Sequence, residues 1–165
     1  MTGVAGGPAR RPPSLLTGGR AALAAVPVLV LVLVGAGPGV ASAAACDDAC
    51  RIAGARAYVA ALADHDPSDV PLHPRATRVE AGLQTGFSGD QLRADLRHGP
   101  QYRVVRGVSD ETYTVRDDGV VVAGFTLDVG VGPVGLTTAR VHETFRYSDG
   151  LIREIVADIR VGDTA

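Results

Sequence analysis

Apolar residues return at three- and four-residue steps at Ile52, Ala55, Val59 and Leu62, with Tyr58 beside them. That period predicts an amphipathic helix from Asp47 to about Ala63. Asp66-Pro67-Ser68-Asp69 then reads as a second helix start, with Asp66 as N-cap and Pro67 in the first turn. Pro71 and Pro74 hold that second helix to about one turn. Thr77–Ala81 is a short strand candidate ending at Gly82. Ser88-Gly89-Asp90-Gln91 has capping-box spacing, and Leu92 and Leu96 mark one face of a helix that stops at Gly99-Pro100.

The pattern changes from Gln101 onward. Tyr102–Val108, Glu111–Arg116, Val120–Val129, Leu136–Tyr147 and Leu151–Val161 are rich in β-branched and aromatic residues and predict strands. Asp118-Gly119 and Asp149-Gly150 are two-residue hairpin signals, while 130–133 (Gly-Val-Gly-Pro) reads as a looser connection. Helices followed by a long antiparallel meander predict an α+β domain with the helices on one face of a curved sheet.

Alternation assigns faces to two of these strands. Val121, Ala123, Phe125, Leu127 and Val129 form an apolar face, with Thr126 and Asp128 on the other side. Ala139, Val141, Phe145 and Tyr147 share a face that also carries Glu143. Thr138, Arg140, His142, Thr144 and Arg146 lie opposite, as a solvated or subunit-facing surface. In Leu151–Val161, Glu154, Asp158 and Arg160 fall in phase with Ile152 and Val156, which leaves that strand without an assigned side.

Charge separates the chain into two parts. All 18 acidic residues follow position 43, whereas three of the 16 basic residues (Arg10, Arg11 and Arg20) precede it. The first 43 residues therefore carry +3 and the rest −5. An apolar run from Ala21 to Val34 follows the basic start, and Ala41-Ser42-Ala43 supplies a small-residue cleavage site. These features predict a signal peptide over 1–43, cleaved after Ala43, and an exported protein, secreted or held at the cell envelope. An uncleaved anchor from about Ala21 to Val40 is the alternative, against which Pro27, Gly35, Gly37, Pro38 and Gly39 interrupt the apolar run. Ala43-Ala44-Ala45-Cys46 also has the outline of a lipoprotein processing site, which would tie the chain to a membrane through Cys46. Arg10-Arg11 is a weak match to a twin-arginine signal, because Pro12-Pro13 follow it.

Both cysteines, Cys46 and Cys50, sit just beyond that cleavage point. In an exported chain an even pair suggests a disulfide, and a separation of four residues fits one distorted helical turn. Two thiolates are half a zinc site, and no His adjoins them.

Two segments carry a family resemblance. Tyr58-Val59-Ala60-Ala61-Leu62-Ala63-Asp64-His65-Asp66-Pro67 is similar to the first-helix ending, and Phe145-Arg146-Tyr147-Ser148-Asp149-Gly150-Leu151-Ile152 to the closing hairpin, of the SnoaL-like branch of the nuclear-transport-factor-2-like superfamily. Val79-Glu80-Ala81-Gly82 and the stretch 83–96 resemble an uncharacterised sub-branch of secreted or standalone domains. The resemblance spans about residues 47–161. It implies a cystatin-like cone fold, in which helices close the narrow end of a pocket formed by the curved sheet. Relatives of this kind include ketosteroid isomerase, scytalone dehydratase, polyketide cyclases and non-catalytic binders, so the fold leaves the function open.

Within such a pocket Glu143 is the one candidate for chemistry. A carboxylate on an apolar strand face has a raised pKa, which suits a general acid or base. The structural alternative pairs Glu143 with Arg103 or Arg153. Tyr58, Tyr102, Phe125, Glu143, Phe145 and Tyr147 are the expected pocket-lining residues. His65, His73, His98 and His142 show no metal-ligand spacing, so neither a metal nor another cofactor is expected. No phosphate loop or nucleophile elbow is present, and the net charge of −2 with four Tyr and three Phe argues against a nucleic-acid partner. The expected function is an exported, non-catalytic domain that binds a small apolar molecule or a protein partner. The alternatives are an isomerase or dehydratase with Glu143 as base and a Tyr as oxyanion donor, and a homodimer formed through the outer sheet face.

Overall fold

A computed structural model describes residues 46–162. The expected leader, its cleavage point after Ala43, the anchor alternative and the twin-arginine pair lie outside the described residues.

Helix α1 (Asp48–Asp64) begins where the Asp47 side chain accepts a hydrogen bond from the Cys50 N–H at 2.9 Å. Cys46 and Cys50 form a disulfide across this first turn. The helix ends at His65, which is left-handed (φ 58°) and donates its N–H to the Ala61 carbonyl. The residues that follow do not start a second helix. Asp66 instead accepts the Ser68 N–H at 3.1 Å, and Val70 N–H closes a turn on the Pro67 carbonyl. An Asp side chain that satisfies a nearby amide favours a turn as readily as a cap, and Pro71 leaves no room for more.

Strand β1 (Leu72–Glu80) starts five residues before the expected Thr77, and Ala81-Gly82, both left-handed, turn it into a short β2 (Leu83–Gly86) that the sequence pattern did not mark. Pro74 sits in a gap in the β1 ladder between Leu72 and Thr77, where its missing N–H costs no bond. Helix α2 (Gly89–His98) has the expected cap, with Ser88 Oγ accepting the Gln91 N–H at 3.2 Å, and it ends at Gly99.

The long strands are β3 (Val105–Val115), β4 (Val121–Val131), β5 (Val134–Ser148) and β6 (Leu151–Val161). β3 joins what the sequence suggests as two strands, with a bulge between Ser109 and Thr112 where Asp110 is left-handed (φ 55°). Asp118-Gly119 belongs to a three-residue loop closed by Arg116 N–H on the Val120 carbonyl, whereas Asp149-Gly150 is a true two-residue turn, left-handed at both residues. The expected loose connection at 130–133 is also tight, because Val131 pairs with Val134 around Gly132-Pro133.

All six strands form one curved sheet in the order β2-β1-β6-β5-β4-β3. The sheet is mixed, not purely antiparallel, because β1 runs parallel to β6. Its inner face buries Val121, Ala123, Phe125, Ala139, Val141, Phe145, Ile152, Ile155 and Ala157 against α1 and α2. α1 contributes Ala55, Tyr58, Val59 and Leu62 to this core. A Cβ on Gly54 would lie 2.8 Å from both Pro71 Cγ and the Tyr147 hydroxyl, so glycine permits this close seat. β6 also acquires a side. Its register with β5 shifts between the Arg146–Glu154 and Tyr147–Ile152 pairs, and the bulge at Arg153 resets the alternation. Ile152, Ile155 and Ala157 then face inward, and Glu154, Val156, Asp158 and Arg160 outward.

Candidate functional site

Two rows of side chains cross the inner face of the sheet. In one, Arg78, Ile155, Phe145 and Val121 stand opposite one another on β1, β6, β5 and β4. In the next, the register places Glu80, Ala157, Glu143 and Ala123. Ala157 and Ala123 are small, so the second row leaves space on both sides of Glu143. The Arg78 guanidinium enters that space from β1, and a cavity of about 170 Å³ opens beyond it. Its walls are mainly apolar, with Leu62, Phe125, Leu127, Val141 and Ile159 among them, and its polar groups come from Arg78, Glu80, Gln101, Tyr102 and Glu143.

Arg78 is 4% exposed and Glu143 1%. Arg78 Nη1 donates to the Tyr102 hydroxyl and lies 3.2 Å from Glu80 Oε2. Its Nε lies 3.9 Å from Glu143 Oε1, which is an ion-pair distance but too long for a hydrogen bond. Arg78 Nε and both Glu143 oxygens consequently have no hydrogen-bond partner in the protein. Buried polar groups are normally paired, so three such atoms on two residues that line one cavity single it out as the candidate site. Burial pushes the Glu143 carboxyl up to about 7, while Arg78 pulls it down and Glu80 adds to the rise. Burial opposes the charge on Arg78, but Tyr58, Glu143, Tyr102 and Glu80 more than offset it, and the guanidinium stays protonated. Burial also raises Tyr58 and Tyr102. These two hydroxyls are close enough to influence each other, yet the Tyr58 hydroxyl has no partner in hydrogen-bond geometry.

The candidate residues divide by position. Tyr102, Phe125 and Glu143 line the cavity. Tyr58 is fully buried behind it and meets the Phe145 ring edge-on, with centroids 5.4 Å apart. Phe145 thus packs on α1, and Tyr147 does too, donating its hydroxyl to the Arg51 carbonyl at 2.6 Å. The partner of Glu143 is neither Arg103, which is exposed, nor Arg153, whose guanidinium donates to the Arg75 carbonyl. It is Arg78, which the sequence reading missed. The signal is the alternation Ala76, Arg78, Glu80, which shows only in a strand that starts before Thr77.

The histidines stand apart from this cavity. His65 caps α1, His73 Nδ1 accepts the Arg75 N–H at 3.0 Å, His98 ends α2 and His142 is on the outer sheet face. Among the described residues no cluster of three His, Cys, Asp or Glu side chains is placed to hold a metal.

A curved mixed sheet of six strands with two helices against its inner face is the SnoaL-like, nuclear-transport-factor-2-like cone fold. Residues 45–159 match the domain of unknown function DUF8021, and the chain belongs to that family. A de novo designed protein with a curved β-sheet superposes at a TM-score of 0.56 over 69% of this chain and 88% of its own, at 13% identity. An LEH-like epoxide hydrolase of M. tuberculosis gives 0.56 over 68% and 84%, at 19% identity. A candidate isomerase from Bacillus subtilis gives 0.56 over 69% and 89%, at 13% identity. At these identities the likeness is one of fold. No curated protein sequence matches the chain.

Proposed function

We propose that the domain is exported and uses the cone cavity to bind a small, mostly apolar molecule. The observation that carries this reading is an apolar cavity ending in unpartnered polar atoms, the usual composition of a ligand site. At about 170 Å³ it is smaller than the roughly 300–1,000 Å³ of sites for drug-sized molecules, which favours a ligand well below steroid size. The Cys46–Cys50 disulfide supports an oxidising compartment. N-terminal sequencing of the exported protein tests the address, with a mature chain beginning at Ala44 as the expected result. A chain still starting at Met1 would reject it.

A second reading has Glu143 as a general base, favoured by a carboxyl that titrates near neutrality at the cavity wall. Cyclopentanone is small enough to probe it. In D2O the Glu143 carboxylate would take a proton from the carbon beside the carbonyl, leaving the electron pair as an enolate. The carboxyl proton would exchange with D2O, and a deuteron would return to that carbon. Exchange seen by proton NMR in the wild type and abolished in Glu143→Gln supports catalysis. Equal exchange rates in both proteins would remove it and leave the binding reading in place.

A further inference from the structure

Arg78 and Glu143 line the cavity and hold three buried polar atoms with no partner in the protein, and their neighbours set the charge there. Arg78 Nη1 is committed to Tyr102 and Glu80, and Nε–H is a buried donor without a partner in the protein. The charged groups that act on Glu143 are Arg78 and Glu80 of β1, and the titratable groups near enough to feel its charge are Tyr58 of α1, Tyr102 of the turn after α2 and Tyr113 of β3. β4 and β6 face it with Ala123 and Ala157. Glu80 offsets part of the pull of Arg78 on Glu143, and an ionised Glu143 would sit almost without solvent in a mainly apolar wall. Burial therefore favours the neutral acid, which presents an O–H donor and a C=O acceptor side by side.

Resting on the small-molecule reading of the cavity, we infer that the ligand is a neutral molecule with a carboxamide-type edge, a C=O beside an N–H, on a short apolar body. The amide N–H and C=O pair with the C=O and O–H of Glu143, and the second lone pair of the amide oxygen accepts from Arg78 Nε–H. An alcohol offers one atom and leaves part of this set unpaired, which is costly when buried. A primary amine offers donors only and calls for the ionised carboxylate. A cavity of about 150 Å³ elsewhere accepts benzene, so a head group with four or five carbons suits this one.

Chemical-shift titration of the ¹⁵N-labelled protein with pentanamide, pentan-1-ol and pentylamine tests the inference. Pentanamide is expected to shift pocket amides of β4 and β5 and to bind about tenfold tighter than the alcohol. Its affinity should fall by about tenfold for each pH unit above about 7. Glu143→Gln, the shape of the protonated acid, should abolish that fall, and Glu143→Leu should erase the preference for amide over alcohol. Equal binding of amide and alcohol overturns the head-group inference and spares the pocket. Pentylamine as the tightest probe overturns it in favour of an ionised Glu143. No shift with any of the three overturns both readings.

Discussion

Glu143 and Phe145 leave the same face of β5 two residues apart, and both are almost fully buried, at 1% and 0% exposure. One borders a cavity with its oxygens unpartnered, and the other is locked against Tyr58. The difference lies in their rows. Phe145 stands between Val121 and Ile155, which fill the space beside it, whereas Glu143 stands between Ala123 and Ala157, which do not. Between these two positions, neighbour size on the adjacent strands separates core from site. Burial alone does not distinguish them.

The Phe145 row should break hardest. Phe145→Ala removes a ring packed from two strands and a helix, and is expected to cost about 3–5 kcal/mol in urea unfolding. A loss below about 1 kcal/mol would mean that this row is no better filled than its neighbour, and the contrast would fail.

The Glu143 row should respond in the opposite direction and only at some pH values. Its folded carboxyl titrates at about 7 and the ordinary value is 4.5, so the folded state holds a proton that the unfolded state releases. The stability from that proton is fully present below about 4.5 and is lost as pH rises to about 7. At about 1.4 kcal/mol per decade of proton affinity, the loss is about 3 kcal/mol. Glu143→Gln does not titrate. It should match the wild type near pH 4.5 and exceed it by up to that amount above pH 7, read from urea midpoints across the range. A wild type that gains on the variant as pH rises would reverse the sign and show a carboxylate stabilised by Arg78.

The contrast was half legible in the sequence. The inward set on β5 could be read because strict alternation runs unbroken from Ala139 to Phe145, opposite an equally regular β4. Alternation failed on β6, where the bulge at Arg153 shifts the phase and no local signal announces it. The charged setting of Glu143 was further out of reach. It depends on the parallel pairing of β1 with β6, which brings Arg78 and Glu80 across from Glu143 through contacts between distant parts of the chain. The cap of α2 and the turn at Asp149-Gly150 were legible because their chemistry is confined to four consecutive residues.

The smallest effect belongs to the outer face of the same strand. Arg146 stands opposite Glu154 on β6 with Nε 3.2 Å from Oε2, and the two side chains are 56% and 44% exposed. Water competes for both charges, so the pair should contribute less than about 1 kcal/mol in a double-mutant cycle of Arg146→Ala and Glu154→Ala. The coupling should shrink further in about 1 M salt, where the screening length falls to about 3 Å. Coupling of about 2 kcal/mol that resists salt would mean that this face is shielded from water in solution. The rule drawn from Glu143 and Phe145 would then hold for both faces of β5, with a covering surface taking the place of α1.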